Sequence, residues 1–214
     1  MSSAQESRTV RLDPVSVAIT VLAGGGAVVV VDDEGRENEG DLIFPAAIAT
    51  AEQTASMVRH TSGSICMDMT GEELDRLQLP PMTAVDEDRK GTAYAVGVDA
   101  RAVVSTGTSA VDRAATIRAL GDRATAPGDL TRPGHVVPLR AVPGGVLHRA
   151  GHTEAAVNLV RLAGLSPAGA LCELVDDDGT MKDAPACREF CDQHGLPRVS
   201  IADLIRYRQA HDVP

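Results

Sequence analysis

The stretch VVVVDDEGRENEGDLIF, residues 28–44, decides how the rest of the chain must fold. It opens on four consecutive valines. An unbroken β-branched apolar run suits a strand covered on both faces. The character then changes within one residue. Between Asp32 and Asp41 six of ten positions are carboxylates, opposed only by Arg36, before Leu42–Phe44 turns back to the core. Two like charges ~4 Å apart repel by roughly 4 kcal/mol at an effective dielectric of ~20, so such a cluster needs a cation, raised pKa values, or distance and water. Hard divalent cations take oxygen ligands. In an extended segment Glu37, Glu39 and Asp41 point to one side, because side chains alternate. A solvated acidic loop explains the same composition equally well. The spacing is not that of an EF-hand.

The surrounding composition narrows the function classes. At 214 residues the chain is long enough for one sizeable core, and no linker-like break divides it, so residues 12–214 are expected to form a single domain behind a mobile tail at 1–11. Aromatics are only 2% with no Trp, so Val, Leu, Ile and Ala must build the core. The formal charge of −10 and the lack of stacking rings argue against nucleic acid. A small anion remains possible, because local Arg and backbone N–H groups can hold one phosphate. No apolar run reaches membrane-spanning length and no secretory h-region opens the chain. Four scattered cysteines do not make a disulfide framework, so a cytoplasmic setting is expected.

Outward from the valines, strands and helices alternate, with several strand pairs lacking a helix between them. That pattern predicts helices layered on a mixed sheet. Asp13-Pro14 predicts a cap and first residue of a helix through Leu22. Thr50 predicts the cap of a helix through His60, with Ala51, Ala55 and Val58 on one face. Further strands are predicted at 65–69, 94–98, 103–109, 135–139, 168–175 and 199–201. Helices are predicted after Thr70, after Ser109 in a capping box with Asp112, through Leu162, at 184–194 and at 202–210. Residues 122–133 are expected to be loop, and 85–91 a charged mobile loop.

Several polar constellations remain. Arg132-Pro-Gly-His135 and Arg149-Ala-Gly-His152-Thr153 place two His and two Arg in Gly-rich turns. His152 precedes a helix start, where free N–H groups favour an anion, and it is also placed to reach a metal. Both histidines simply satisfying loop backbone is an equal reading. Glu173 is embedded in an apolar strand; facing inward it is a general acid/base, facing outward a surface charge. The hydroxyls Ser105–Ser109 suit a helix cap as well as substrate oxygens. Cys66 reads as packing. Cys187, Cys191 and His194 lack a fourth zinc ligand and read better as a helix face.

Taken in order, Val31-Asp-Asp-Glu-Gly-Arg-Glu-Asn-Glu-Gly-Asp-Leu-Ile43, Arg59-His-Thr-Ser-Gly63, Thr106-Gly-Thr-Ser-Ala110 with Asp112-Arg113, Arg132-Pro-Gly-His135, Gly151-His-Thr-Glu154 and Cys172-Glu-Leu174 closely resemble the 3,4-dihydroxy-2-butanone 4-phosphate synthase family of riboflavin biosynthesis. The resemblance runs from about Leu12 to His211. It implies an α+β fold in three layers, a mixed twisted sheet with helices on both faces. It also implies conversion of D-ribulose 5-phosphate to L-3,4-dihydroxy-2-butanone 4-phosphate and formate, with Mg²⁺ or Mn²⁺. Carried over by motif, Glu37 and His152 are the implied metal ligands. Arg36, Glu37, Asp41, Thr106, Arg149, Ala150, Gly151, His152, Thr153 and Glu173 are the implied substrate contacts, and His135 and Glu173 the implied catalytic residues. Cys66 matches a family cysteine near the site. Gly35 stands where an acid is frequent, and Thr108 where a β-branched apolar residue is usual. A homodimer with active sites at the subunit interface is implied as well. The family also occurs fused to GTP cyclohydrolase II, so one alternative reading is that this chain is the same domain excised from such a bifunctional fusion. Rival readings are another metal-dependent phosphosugar isomerase or aldolase, and a non-enzymatic ligand-binding or RNA-binding module on a similar sheet.

Overall fold

The structure is a computed structural model that describes residues 11–33, 35–102 and 104–211. The expected mobile tail, Arg11 apart, lies outside these residues, as do Glu34 and Val103. Helix α1 (Val15–Ala23) leads into β1 (Val28–Val31), the acidic loop and β2 (Gly40–Pro45). Then come α2 (Ala51–His60), β3 (Cys66–Thr70), α3 (Gly71–Arg76), β4 (Val98–Ala100), α4 (Ala110–Gly121) and β5 (Leu130–Ala141). The chain ends through α5 (His152–Leu162), β6 (Ala168–Glu173), α6 (Ala184–His194), β7 (Arg198–Ser200) and α7 (Ile201–His211).

Among the described residues seven strands form one mixed sheet in the order β4-β5-β3-β6-β2-β1-β7. β1 runs parallel to β7 and β3 parallel to β5, while the other neighbours are antiparallel. The valine run divides its side chains between two cores. Val29 and Val31 pack with α2, α4 and α6 residues such as Met57, Ile117 and Phe190. Val28 and Val30 pack with Leu22 of α1, Leu159 of α5 and Leu204 of α7. Both faces are therefore dry, and each buried valine contributes about 1.5–3 kcal/mol. This is the expected three-layer α+β arrangement.

Local departures have local causes. Pro14, not Asp13, takes the cap position of α1. Asp13 instead accepts from Arg188 and the Arg198 N–H, tying the chain start to β7. Thr50 does cap α2, in a reciprocal box with Gln53, but the buried side chains are Thr54 and Met57 while Val58 is exposed. Tyr94 and Ala95 make only single bridges, and the strand proper begins at Val98. Of the strand expected at 103–109, Val103 lies outside the described residues and 104–109 form no strand, because Asp112 collects Ser105 and the Gly107 N–H into a compact loop. Ser109 caps α4 through the Asp112 N–H, but the Asp112 carboxylate is spent on Ser105 and Gly107 and does not complete the expected box. The loop expected at 122–133 ends early, since β5 begins at Leu130 and carries His135 in its middle. A Cβ on Gly134 would lie 1.9 Å from the Val98 carbonyl carbon, so glycine is what lets β5 cross β4 there.

Candidate metal centre and active-site cavity

The β1–β2 connection is knotted around one carboxylate. Asp32 accepts from the Glu37 N–H at 2.9 Å, the Glu39 N–H at 3.0 Å and Arg36 at 3.1 Å. These bonds fold the loop back, with Asn38 at φ 55°, instead of leaving it extended. Glu37, Glu39 and Asp41 still share a cavity with Arg36, Cys66, Arg149, His152, Thr153 and Glu173. The sheet explains half of this. Asp41 on β2 is directly opposite Glu173 on β6, and both lie at the end where the acidic loop emerges.

Helix α5 supplies the other half. Gly151 is its cap and His152 its first residue, so the imidazole stands over the acidic loop. His152 Nδ1 lies 3.6 Å from Glu37 and 3.7 Å from Asp41. Its Nε2 is buried without a hydrogen-bond partner, as is Oδ1 of Asp41. Buried polar atoms are almost always hydrogen-bonded, so two orphans facing one carboxylate–imidazole cluster fit a site that takes an ion or substrate oxygen. Two groups, Asp32–Glu37–His152 and Glu39–Asp41–His152, bring their ligand atoms within 4.8 Å of one another. A set of carboxylates and one imidazole suits a divalent cation.

The protonation pattern fits the crowding. Burial, reinforced by Glu39 and Glu173, pushes Asp41 up to about 8 despite His152. Burial pulls His152 down, but Asp41, Glu37 and Asp32 outweigh it and raise it to about 9. The contact with His152 holds Glu37 below the usual carboxylate range, whereas burial raises Glu39. Burial raises the Cys66 thiol so far that it is not a nucleophile, which leaves it as cavity wall.

Around the cluster, Arg149 and Glu173 are each held by a neighbouring side chain. Arg149 donates to Glu154 at 2.7 Å, and Glu154 also accepts the Val142 N–H at 3.0 Å, fixing the turn before α5. Glu173 accepts from Ser62 at 2.6 Å. Ala150 and Gly151 complete the α5 entry.

Two motif-derived residues stand elsewhere. Thr106 is exposed in the loop before α4, within 3.3 Å of the Thr108 hydroxyl. His135 sits on β5, its Nδ1 2.8 Å from Asp99 and its backbone N–H on the other Asp99 oxygen at 3.0 Å. Gly107, at φ 86°, leaves the room this pair needs, since a Cβ there would be 2.2 Å from His135 Nδ1. Cys66 is level with both Val137 and Leu171. His135 and Glu173 are each two residues beyond that rung at the same end of the sheet. With β3 between them they are two strand spacings, roughly 10 Å, apart.

A family model described as 3,4-dihydroxy-2-butanone 4-phosphate synthase matches residues 16–207. The chain belongs to the 3,4-dihydroxy-2-butanone 4-phosphate synthase family. Among curated members, the riboflavin biosynthesis protein RibBA of Salinispora arenicola is 61% identical over 195 residues, 91% of this chain and 46% of the relative. RibBA of Nocardia farcinica is 57% identical over 204 residues, 94% and 49% of the two chains. The chain thus spans about half the length of these relatives. A solved 3,4-dihydroxy-2-butanone 4-phosphate synthase in complex with two magnesium ions superposes with a TM-score of 0.92 at 43% identity, covering 94% of this chain and 99% of that one. A cation-free form gives 0.89 at 42% identity, covering 95% and 100%.

Asp32, Ser62 and Glu154 hold the candidate cavity together and Asp99 holds His135; none of these roles was singled out from sequence. Asp32 carried a usable signal, being the first acid after an apolar strand and so placed for an Asx turn.

Proposed function

We propose that this chain converts D-ribulose 5-phosphate to L-3,4-dihydroxy-2-butanone 4-phosphate and formate, with Mg²⁺ or Mn²⁺ held by Glu37 and His152. The observation that carries this is the meeting of His152 with Glu37 and Asp41 in one buried cavity, with an unpartnered Nε2. A divalent ion there would grip adjacent substrate oxygens and stabilise negative charge developing beside the carbonyl. The remaining work falls to side chains. Arg149, aimed by Glu154, and the N–H groups of the α5 entry from Ala150 to Thr153 suit the phosphate end. Arg36 balances the acidic loop beside the sugar oxygens. Glu173, on its Ser62 tether, is placed to carry protons. Asp41, raised to about 8, is able to hold one near neutrality.

His135 and Thr106 enter this reading through a second copy of the chain. Asp99 accepts from His135 Nδ1, which leaves Nε2 facing outward as a base. A homodimer in which these residues meet the partner's cavity accounts for their distance from Glu173. The four free cysteines suit work in the cytoplasm. Residues 12–214 act as one catalytic domain, and the half-length match to RibBA favours its also working as part of a fusion with GTP cyclohydrolase II; the full reading frame tests that.

Purified protein given ribulose 5-phosphate and Mg²⁺ is expected to release formate, and EDTA to abolish release. In the same assay His152→Ala should lose activity while keeping its melting temperature. Formate release by that variant at the wild-type rate would remove His152 from the centre.

A further inference from the structure

The charged loop at 85–91 is exposed along its length, yet it is fastened to the acidic loop. Lys90 Nζ donates to the Arg36 carbonyl at 2.8 Å and lies 3.9 Å from Glu37 Oε1. Arg149 donates back to the Lys90 carbonyl at 3.1 Å. Asp88 accepts the Thr92 N–H at 2.7 Å, which carries the fastening on to Thr92, itself part of the cavity wall. One exposed lysine thus bridges a surface loop and a candidate metal ligand.

We propose that Lys90 is a positioning residue that couples this loop to metal loading. Glu37 Oε2 already meets Arg36 at 2.5 Å and His152 at 3.6 Å, so the Lys90 ammonium and the divalent ion are alternative counter-charges for the other oxygen, Oε1, and filling the centre loosens the latch. The proposal rests on Glu37 and His152 holding the metal. Coupling of this kind is reciprocal: if the ion loosens the loop, the latched loop weakens the ion by the same factor. An ion pair this open to solvent sets that factor at roughly two- to fivefold. The contact also gives the segment a role that its charge run alone does not reveal, because the lysine and not the neighbouring acids meets the centre.

Calorimetric titration of Mg²⁺ into the full chain tests this, comparing wild type with Lys90→Gln, Lys90→Arg and His152→Ala. Lys90→Gln should bind Mg²⁺ about two- to fivefold more tightly, and Lys90→Arg should match wild type. Tryptic cleavage after Arg89 gives a readout independent of turnover. Mg²⁺ should speed it in wild type, whereas Lys90→Gln should be cut quickly with or without the ion. Unchanged or weaker Mg²⁺ binding by Lys90→Gln, or metal-insensitive cleavage of wild type, would overturn the latch. Wild-type Mg²⁺ affinity in His152→Ala would instead overturn the metal assignment beneath it.

Discussion

At the scale of single residues, the least comfortable group is Asp68. It is fully buried on β3 with neither carboxylate oxygen hydrogen-bonded. Burial first, and Asp41 second, raise it well above its usual range, while the nearby Thr153 hydroxyl works the other way. An acid whose pKa is raised on folding contributes stability that is full below its unfolded value near 3.8 and is lost as pH climbs through the folded one. Asp68→Asn removes that dependence. Its melting temperature relative to wild type should rise between pH 5 and pH 8, and a difference that stays flat with pH would show the carboxyl is not the titrating group. Ser62 makes a complementary case. Without its hydroxyl, Glu173 loses the 2.6 Å tether from β3's entry loop, so Ser62→Ala should lower kcat about tenfold with little change in KM, equivalent to ~1.4 kcal/mol of barrier. Ser62→Thr should restore most of it. Both residues were hard to find in the sequence. Asp68 looked like one member of an alternating strand, and Ser62 like turn filler, because what matters about each is a neighbour far along the chain.

At the scale of elements, α5 carries the site. Its apolar residues Ala155, Ala156 and Leu159 bury against the sheet, and this packing sets where the first turn delivers His152. Glu154, fully buried, then clamps Arg149 and the Val142 N–H together. Removing it takes the carboxylate from a guanidinium, which keeps its Lys90 carbonyl contact, and leaves a backbone donor without its acceptor. Glu154→Ala should therefore cost roughly 2–4 kcal/mol in a denaturant titration and raise KM for ribulose 5-phosphate, because Arg149 loses its aim. A rise in KM without destabilisation would mean that Glu154 contacts substrate directly. The helices and strands with strong local signals were readable. The valine run and the Thr50 cap both act on their own neighbours. The failures lie where a distant partner decides. The hydroxyl-rich stretch after Ala100 has strand composition, yet Asp112 gathers it into a turn. The Pro- and Gly-bearing segment at 130–134 has loop composition, yet pairing with β4 makes it strand.

At the scale of the whole molecule, the sheet order explains why the two residues proposed as catalytic do not meet within one chain. β3 lies between β5 and β6, so His135 and Glu173 share an end of the sheet but stand roughly 10 Å apart. Sequence order gave no hint of this, since motif matching assigns residues to a site without saying whose site. If His135 serves the partner's cavity in a twofold dimer, each centre takes His152 and Glu37 from one subunit and His135 from the other. His135→Ala and His152→Ala homodimers should then both be inactive. Mixed after subunit exchange, they form heterodimers in which one centre carries both lesions and the other carries none. With random exchange half of the dimers are mixed and half of their centres intact, so formate release should recover to about a quarter of the wild-type rate. The melting temperatures of the two variants, measured before mixing, separate this outcome from failure to fold. A mixture of two folded, exchanging variants that stays inactive would place His135 in the same chain's chemistry and leave the shared centre without support.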